Sequence, residues 1–336
     1  MDNIQLNKFF RLWHLIVILL LISLISIGGF TRLTNSGLSI TNWELFSGIL
    51  PPLNEQSWDS YFSLYKTIPQ YNELNVGMTI HEFKYIFWWE YIHRLLARFL
   101  GLVYLLPFIF FVLRKIIYKN NFYYYLSILL LFIFQGFLGW FMVKSGLSVN
   151  VDVSHFRLAA HLGVAVIILL LIFWAFLNSR NQQLGIKLFT NSQLLLIFLL
   201  LIYIQIIFGA FTSGLDAGRI YQTWPYMNLN FLPDEVTLKS FFSKEIFTDR
   251  AHVQLLHRLN AYLIFVVFVI FYAYKLKKRE THLTGLTWIL FFLIIQIFLG
   301  ITTLISGLNI YLAALHQLTS IFLVMSIVSS IYRLKL

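Results

Sequence analysis

GAFTSGLDAGRIYQTW, residues 209–224, reads as a second copy of GGFTRLTNSGLSITNW, residues 28–43. At a constant offset of 181, Gly209 meets Gly28, Phe211 meets Phe30, Thr212 meets Thr31, Asp216 meets Asn35, Gly218 meets Gly37 and Trp224 meets Trp43. QIFLGITTLISGL (296–308) matches QGFLGWFMVKSGL (135–147) at an offset of 161, and LHRLNAYLIF (256–265) pairs with IHRLLARFLG (92–101). Self-similarity over so long a period means that one supersecondary unit has been used twice. The chain therefore reads as two halves in tandem.

Composition says what the halves are made of. Of 336 residues, 59 % are hydrophobic and only 12 % charged, with a mean hydropathy of +0.76, far more apolar than a soluble chain of this size. Runs long enough to cross a hydrocarbon core, about 20 helical residues, occur near 12–30, 86–112, 122–143, 156–177, 193–212, 252–274, 284–305 and 310–332. Lys8 and Arg11 precede the first run as in a signal peptide, but no small-residue cleavage site follows and the run belongs to the repeat, so it counts as a span. The expectation is an all-α polytopic membrane protein: eight transmembrane helices as two tandem pseudo-symmetric four-helix bundles, 1–178 and 193–336, joined by a cytoplasmic linker, 179–192. Four spans per half give both halves the same topology.

Charge sets the orientation. With cytoplasmic termini, the inner segments hold thirteen basic residues against Asp2 and Glu280, which accounts for the whole formal charge of +11, while the remaining basic and acidic residues cancel. This is the positive-inside pattern, so the basic balance reports topology in a lipid bilayer and not nucleic acid. The two long loops, near 31–85 and 213–251, are then outside. No cysteine is present, which excludes disulfides, iron–sulfur clusters and thiolate metal sites.

Any metal must therefore be held by other side chains, and the repeat picks out four of the nine histidines. His93 corresponds to His257 and His161 to His316, each seven to nine residues after a polar marker at the outer end of its span (Lys84, Asp152, Arg250, Asn309). At 1.5 Å per residue that is roughly 10–14 Å deep. In an up-down bundle the second and fourth helices are diagonal, with axes roughly 11–14 Å apart if neighbours lie at about 8–10 Å. That gap suits a flat macrocycle whose iron takes one histidine from each side, so one haem site is expected in each half. His14, His81, His155, His252 and His282 read as helix-end, loop or interfacial residues, and Trp88 and Trp89 as interfacial belt. Gly28, Gly29, Gly139, Gly209 and Gly300 fall near outer helix ends, where they permit close approach or a turn.

The halves differ at one titratable position. Glu90 stands three residues before His93, on the same helix face; before His257 the equivalent residue is Gln254. Glu90 is either the ion-pair partner of Arg94 or an acid–base group beside a haem edge. On the second reading the first half is the reaction site and the second holds a permanent haem. Arg94, Arg98, Arg157 and Arg258 are candidate partners for haem propionates.

GGFTRLTNSGLSITNWELFSGILPPL (28–53), FKYIFWWEYIHRLLARFLG (83–101), DVSHFRLAAHL (152–162), GLDAGRIYQTWPYMN (214–228) and LAALHQ (312–317) resemble the haem A synthases of cytochrome oxidase biogenesis, in a cysteine-free branch. The resemblance covers nearly the whole chain. It implies an oxidoreductase of the bacterial inner membrane that converts the C8 methyl group of haem O to the formyl group of haem A through hydroxylated intermediates. It puts the catalytic glutamate at Glu90, the substrate haem at His93 and His161, and haem b at His257 and His316. Haem O synthase and an unidentified electron donor would be partners. The alternative is a dihaem b-type membrane electron carrier, which would need no lone glutamate and would favour haems at different depths; a repeat-built transporter comes third.

Overall fold

The computed structural model describes residues 3–44, 47–117, 119–147, 151–179, 184–185, 190–278 and 283–335. Among the described residues, eight helices are long and apolar enough to cross a membrane: α1 (Asn3–Leu33), α2 (Ile80–Leu113), α3 (Lys119–Lys144), α4 (His155–Leu177), α5 (Thr190–Gly214), α6 (Arg250–Lys277), α7 (Leu283–Ile305) and α8 (Ile310–Lys335). Each contains one expected apolar run, and most continue past it, because their polar ends also find helical partners. Thr79 and Glu82 form a capping box that starts α2 well before its apolar run. Asp249 caps α6 by accepting from the N–H groups of Ala251 and His252. Among the described residues there is no strand, only the isolated bridge Met227–Asn230. Most of the linker 179–192, and His282, lie outside the described residues.

Two compact units emerge, one of residues 1–14 and 166–336, the other of residues 15–165. In the first, α5 packs on α6 and α8, and α7 packs on the same two helices. That ring leaves α6 and α8 on one diagonal. The first turns of α1 and the end of α4 belong here: Arg11 lies over the Phe176 ring, 5.0 Å from its centroid. His14 is wholly buried, its Nδ1 2.7 Å from Phe10 O.

In the second unit, α2 packs on α3, with Tyr104 donating to Tyr125 O, and α3 lies beside α4. The long connection from α1 to α2 folds into a cap containing helices Glu55–Tyr65 and Pro69–Leu74. Trp58, Phe62, Tyr65, Ile68, Leu38 and Ile40 form a core with Phe83, Ile86, Phe87 and Tyr91 of α2. Aromatic burial of this size stabilises the cap by several kcal/mol, at roughly 1.5–3 kcal/mol per large side chain. Trp88 is 40 % exposed as a belt residue would be, whereas Trp89 stacks on Phe30 of α1 at 5.1 Å.

Candidate functional site

Four glycines hold the same place in their own helices. Gly28, Gly139, Gly209 and Gly300 each stand five residues before the last residue of α1, α3, α5 and α7, about 7.5 Å inside that helix end. A histidine ring of the following helix rests on each. A Cβ added at Gly28 would lie 3.1 Å from His93 Nε2; at Gly139, 3.3 Å from His161 Cε1; at Gly209, 3.3 Å from His257 Cε1; at Gly300, 2.9 Å from His316 Cε1. The glycines are therefore seats for imidazoles and not turns. All four rings are half-buried.

A second polar layer lies one turn before the seats. Gln135, Gln205 and Gln296 donate through Nε2 to the main-chain carbonyls of His161, His257 and His316, each at 2.9 Å. The spacing Gln-x-x-x-Gly puts glutamine and glycine on one helix face, so one residue grips the backbone of the histidine whose ring the other seats. Sequence reasoning aligned Gln135 with Gln296 without giving them a task and passed over Gln205; their fixed distance from the glycines was the available signal. The fourth such position, before Gly28, is Leu24.

His257 and His316, on the diagonal helices, have ring centroids 6.4 Å apart with planes at 76°. An imidazole nitrogen binds a first-row metal at about 2.0–2.1 Å, and the centroid lies roughly 1 Å behind it, so two rings facing across one metal are separated by about 6 Å. The pair fits that spacing. The described residues contain no cluster of three or more His, Asp or Glu side chains able to hold a metal. A two-histidine donor set suits a metal that brings its own equatorial ligands, as iron in a porphyrin does. The Nδ1 atoms of His161 and His316 are buried without a hydrogen-bond partner; each ring thus has an uncommitted nitrogen chemistry.

Glu90 is 2 % exposed. Its Oε1 pairs with Arg94 at 2.6 Å, and its Oε2 accepts from Ser39 Oγ at 2.7 Å and Ile40 N at 2.8 Å. Arg94 also donates to Ile40 O (2.8 Å) and Asn42 O (3.1 Å). Helix α2 is thereby stitched to the segment leaving α1. In the other unit, Arg258 donates to Tyr221 O (3.2 Å), Thr223 O (2.9 Å) and Tyr226 O (3.3 Å), and Gln254 donates to Tyr221 O at 2.9 Å. Tyr221 and Thr223 are the residues 181 positions after Ile40 and Asn42.

The remaining arginines are also engaged. Arg98 donates to Glu44 O at 2.5 Å, and Arg157 donates to Phe141 O at 2.6 Å while lying 3.7 Å over that ring. Arg258 keeps a buried Nε without a partner. His252, expected at a solvated helix mouth, is instead 2 % exposed, held between Asp249 Oδ1 (2.7 Å) and Ser240 Oγ (2.8 Å). The folded connection between α5 and α6 shields it.

Outside the membrane spans, burial and the Glu44 carboxylate it donates to push the Tyr61 hydroxyl up to about 12. For Asp249, burial alone would raise the carboxyl, but the His252 ring and the N–H groups of His252 and Ala251 outweigh it and hold the group below its ordinary range.

A family model described as cytochrome oxidase assembly protein, COX15-CtaA, matches residues 11–328. A protein of Pelagibacter ubique (strain HTCC1062) named Heme A synthase is 47 % identical over 334 residues, 97 % of this chain and 96 % of that protein. Proteins of the same name from Rickettsia felis (42 % over 328 residues, 96 % and 97 %) and Rickettsia bellii strain OSU 85-389 (41 % over 316 residues, 93 % and 94 %) are also similar.

Proposed function

The chain belongs to the COX15-CtaA family of cytochrome oxidase assembly proteins, and we propose from this and the histidine geometry that it is a haem A synthase, an integral membrane oxidoreductase making haem A from haem O. The reaction oxidises the C8 methyl group of the substrate to a formyl group through hydroxylated forms. The carrying observation is the pair His257 and His316, 6.4 Å apart on diagonal helices with each ring on a glycine.

We assign residues 1–178 to the substrate half and 193–336 to a haem b half, related as tandem copies. Support for the repeat comes from bonds that recur at the sequence offset: Arg94 on Ile40 O and Asn42 O, Arg258 on Tyr221 O and Thr223 O. Asn35 and Asp216, also 181 apart, both adopt the left-handed conformation, at φ 51° and 50°. His257 and His316 hold haem b, which supplies one-electron redox chemistry when bound. His93 and His161 orient haem O. Glu90 holds and releases protons at Oε2, with the Ser39 hydroxyl 2.7 Å away as the adjacent relay. Arg258, with its spare Nε, is the best placed cation for a propionate in the second half; Arg94, Arg98 and Arg157 would divide their N–H groups between the main-chain carbonyls they hold and one in the first. The charge asymmetry supports cytoplasmic termini and sites near the outer face of a bacterial inner membrane. Haem O would arrive from its own synthase, and an unidentified electron donor is the other expected partner.

Extraction of haems from the purified protein, followed by chromatography and mass measurement, tests this. Haem O or A beside haem b is the expected result. Haem b alone in both halves would replace the synthase by an electron carrier.

A further inference from the structure

The glycine seats occur four times, but the polar layer behind them is graded. At His257, the Gln205 amide is itself fixed, since its Oε1 accepts from Asn260 Nδ2 at 2.8 Å. At His316, the Gln296 Oε1 accepts from Thr319 Oγ1 at 2.5 Å, the shortest of the three contacts of that hydroxyl, which also reaches Leu315 O (2.9 Å) and His316 O (3.1 Å). At His161, Gln135 still grips the carbonyl, but its Oε1 is buried without a partner. Thr319 stands three residues after its histidine, and the residue three after His161 is Val164, which has no donor. At His93 the gripping position is Leu24 and the position matching Asn260 is Leu96, so neither part of the clamp exists. The cross-link one turn outward, Thr31 Oγ1 to Trp89 O, is longer at 3.4 Å and shared with Ile27 O at 2.9 Å.

We propose that this graded layer of clamps determines which haem stays and which one leaves: Gln205 with Asn260 and Gln296 with Thr319 are positioning residues that retain the resident haem, while the incomplete clamp at His161 and the missing one at His93 leave the substrate site able to open. The inference rests on the functional reading above. A macrocycle gripped from both faces escapes only when a ligand-bearing helix parts from its neighbours. Parting α6 from α5, or α8 from α7, breaks an amide–carbonyl bond where no water can replace it. Parting α2 from α1 at the level of Leu24 breaks none of that kind. An enzyme that must admit haem O and release haem A every turnover needs such a gate in one half and its opposite in the other. His93 is then the ligand that yields.

Interhelical hydrogen bonds in membranes are worth roughly 0.6–1.7 kcal/mol, so each clamp slows haem departure by about threefold to eighteenfold. The test uses the full-length holoenzyme in detergent with excess apomyoglobin as haem acceptor, and identifies the departing haem by chromatography. Haem O and A should leave the unmodified protein faster than haem b. Gln296→Leu and Gln205→Leu should speed the loss of haem b by about threefold to eighteenfold, while the melting temperature of the haem-free protein falls by only the few degrees that one such bond supplies. Thr319→Val should do the same more weakly, and Thr319→Ser should restore the original rate. In the other direction, Val164→Thr gives Gln135 Oε1 a donor and should slow the release of haem O. Where the leucine variants do not fold, the Thr319 and Val164 variants decide. Unchanged haem b loss in the Gln and Thr319→Val variants, or unchanged haem O release in Val164→Thr, overturns the inference. The underlying reading fails separately: if His257→Ala keeps haem b and loses haem O, the halves have been assigned the wrong way round.

Discussion

Replacing Gly300 by alanine adds one methyl group under the ring of His316, a proposed haem ligand. The new Cβ would stand 2.9 Å from His316 Cε1, 3.5 Å from Nδ1 and 3.6 Å from Nε2. Ordinary contact begins at 3.4 Å, so the ring must retreat by about 0.5 Å, whereas metal–ligand distances tolerate only about 0.2 Å. The helix cannot easily yield instead, because Gln296 ties it to the His316 carbonyl. On the proposed assignment, His316 would then no longer hold the iron of haem b. Disturbing a ligand's support typically costs 10–100-fold in affinity, about 1.4–2.8 kcal/mol. Optical and paramagnetic resonance spectra of the purified holoenzyme would report a shift from low-spin to high-spin iron, with substoichiometric haem b. Gly136→Ala is the control: it lies on α3 with nothing within 4 Å of its added Cβ, and it should stabilise the helix by up to about 1 kcal/mol. Gly209→Ala, at 3.3 Å, should be milder. A fully low-spin, haem-replete Gly300→Ala protein would show that His316 does not bind from this seat.

Glu90→Gln should keep the fold and bound haem while haem O or a hydroxylated form accumulates, measured by haem extraction; normal haem A yield would reduce Glu90 to a partner of Arg94. Tyr61 is neutral in the folded state up to about 12 against 10.0 in a free chain, so its contribution is complete below pH 10 and disappears as the pH rises through about 12. Fluorescence of Trp58, in the same cap, should follow that loss, and Tyr61→Phe should remove the step. Asp249 has the opposite sign: its carboxyl is depressed in the folded protein, so its contribution is present above about pH 4 and is lost as the pH falls through its lowered value. Asp249→Asn should flatten the acid limb of a plot of melting temperature against pH, and an unchanged limb would count against the His252 contact as its source.

The eight spans, and the two long connections between them, were legible because hydropathy over about 20 residues is a one-dimensional signal. The diagonal placement of His257 and His316 followed from helix count and short connections. What the sequence left open was pairwise: glycine near a helix end is equally a turn, a helix contact or a seat until the neighbour's side chain is known. The same holds for Gln135, Gln205 and Gln296, whose amides act on another helix's main chain, which carries no side-chain signature. The burial of His252 was hidden because the loop covering it, around Ser240, lacks any hydrophobic period. Regular elements announce themselves; contacts between them do so only when the residue type admits one use.

The repeat also supplies an internal control for Glu90. In the second unit, Arg258 is 9 % exposed and satisfied mainly by main-chain carbonyls, beside a neutral Gln254. The loop-to-helix stitch therefore does not require a carboxylate. Arg94 makes the corresponding bonds to Ile40 O and Asn42 O, so a glutamine at position 90 would leave it about as well served as Arg258 is. Removing one partner of a buried ion pair commonly costs about 3–5 kcal/mol, but that figure applies where nothing else receives the cation. Here two carbonyls do, and the penalty should be well below that range. Beyond what its counterpart does, Glu90 serves the Ser39 hydroxyl and the Ile40 N–H, from which the side-chain oxygen of a glutamine can also accept. The charge itself therefore has no structural need here, which argues that it is kept for the reaction. Equal melting temperatures for the original protein and Glu90→Gln, with product lost only in the variant, are what that argument requires; a variant that fails to fold would mean that the stitch, and not the chemistry, holds the glutamate in place.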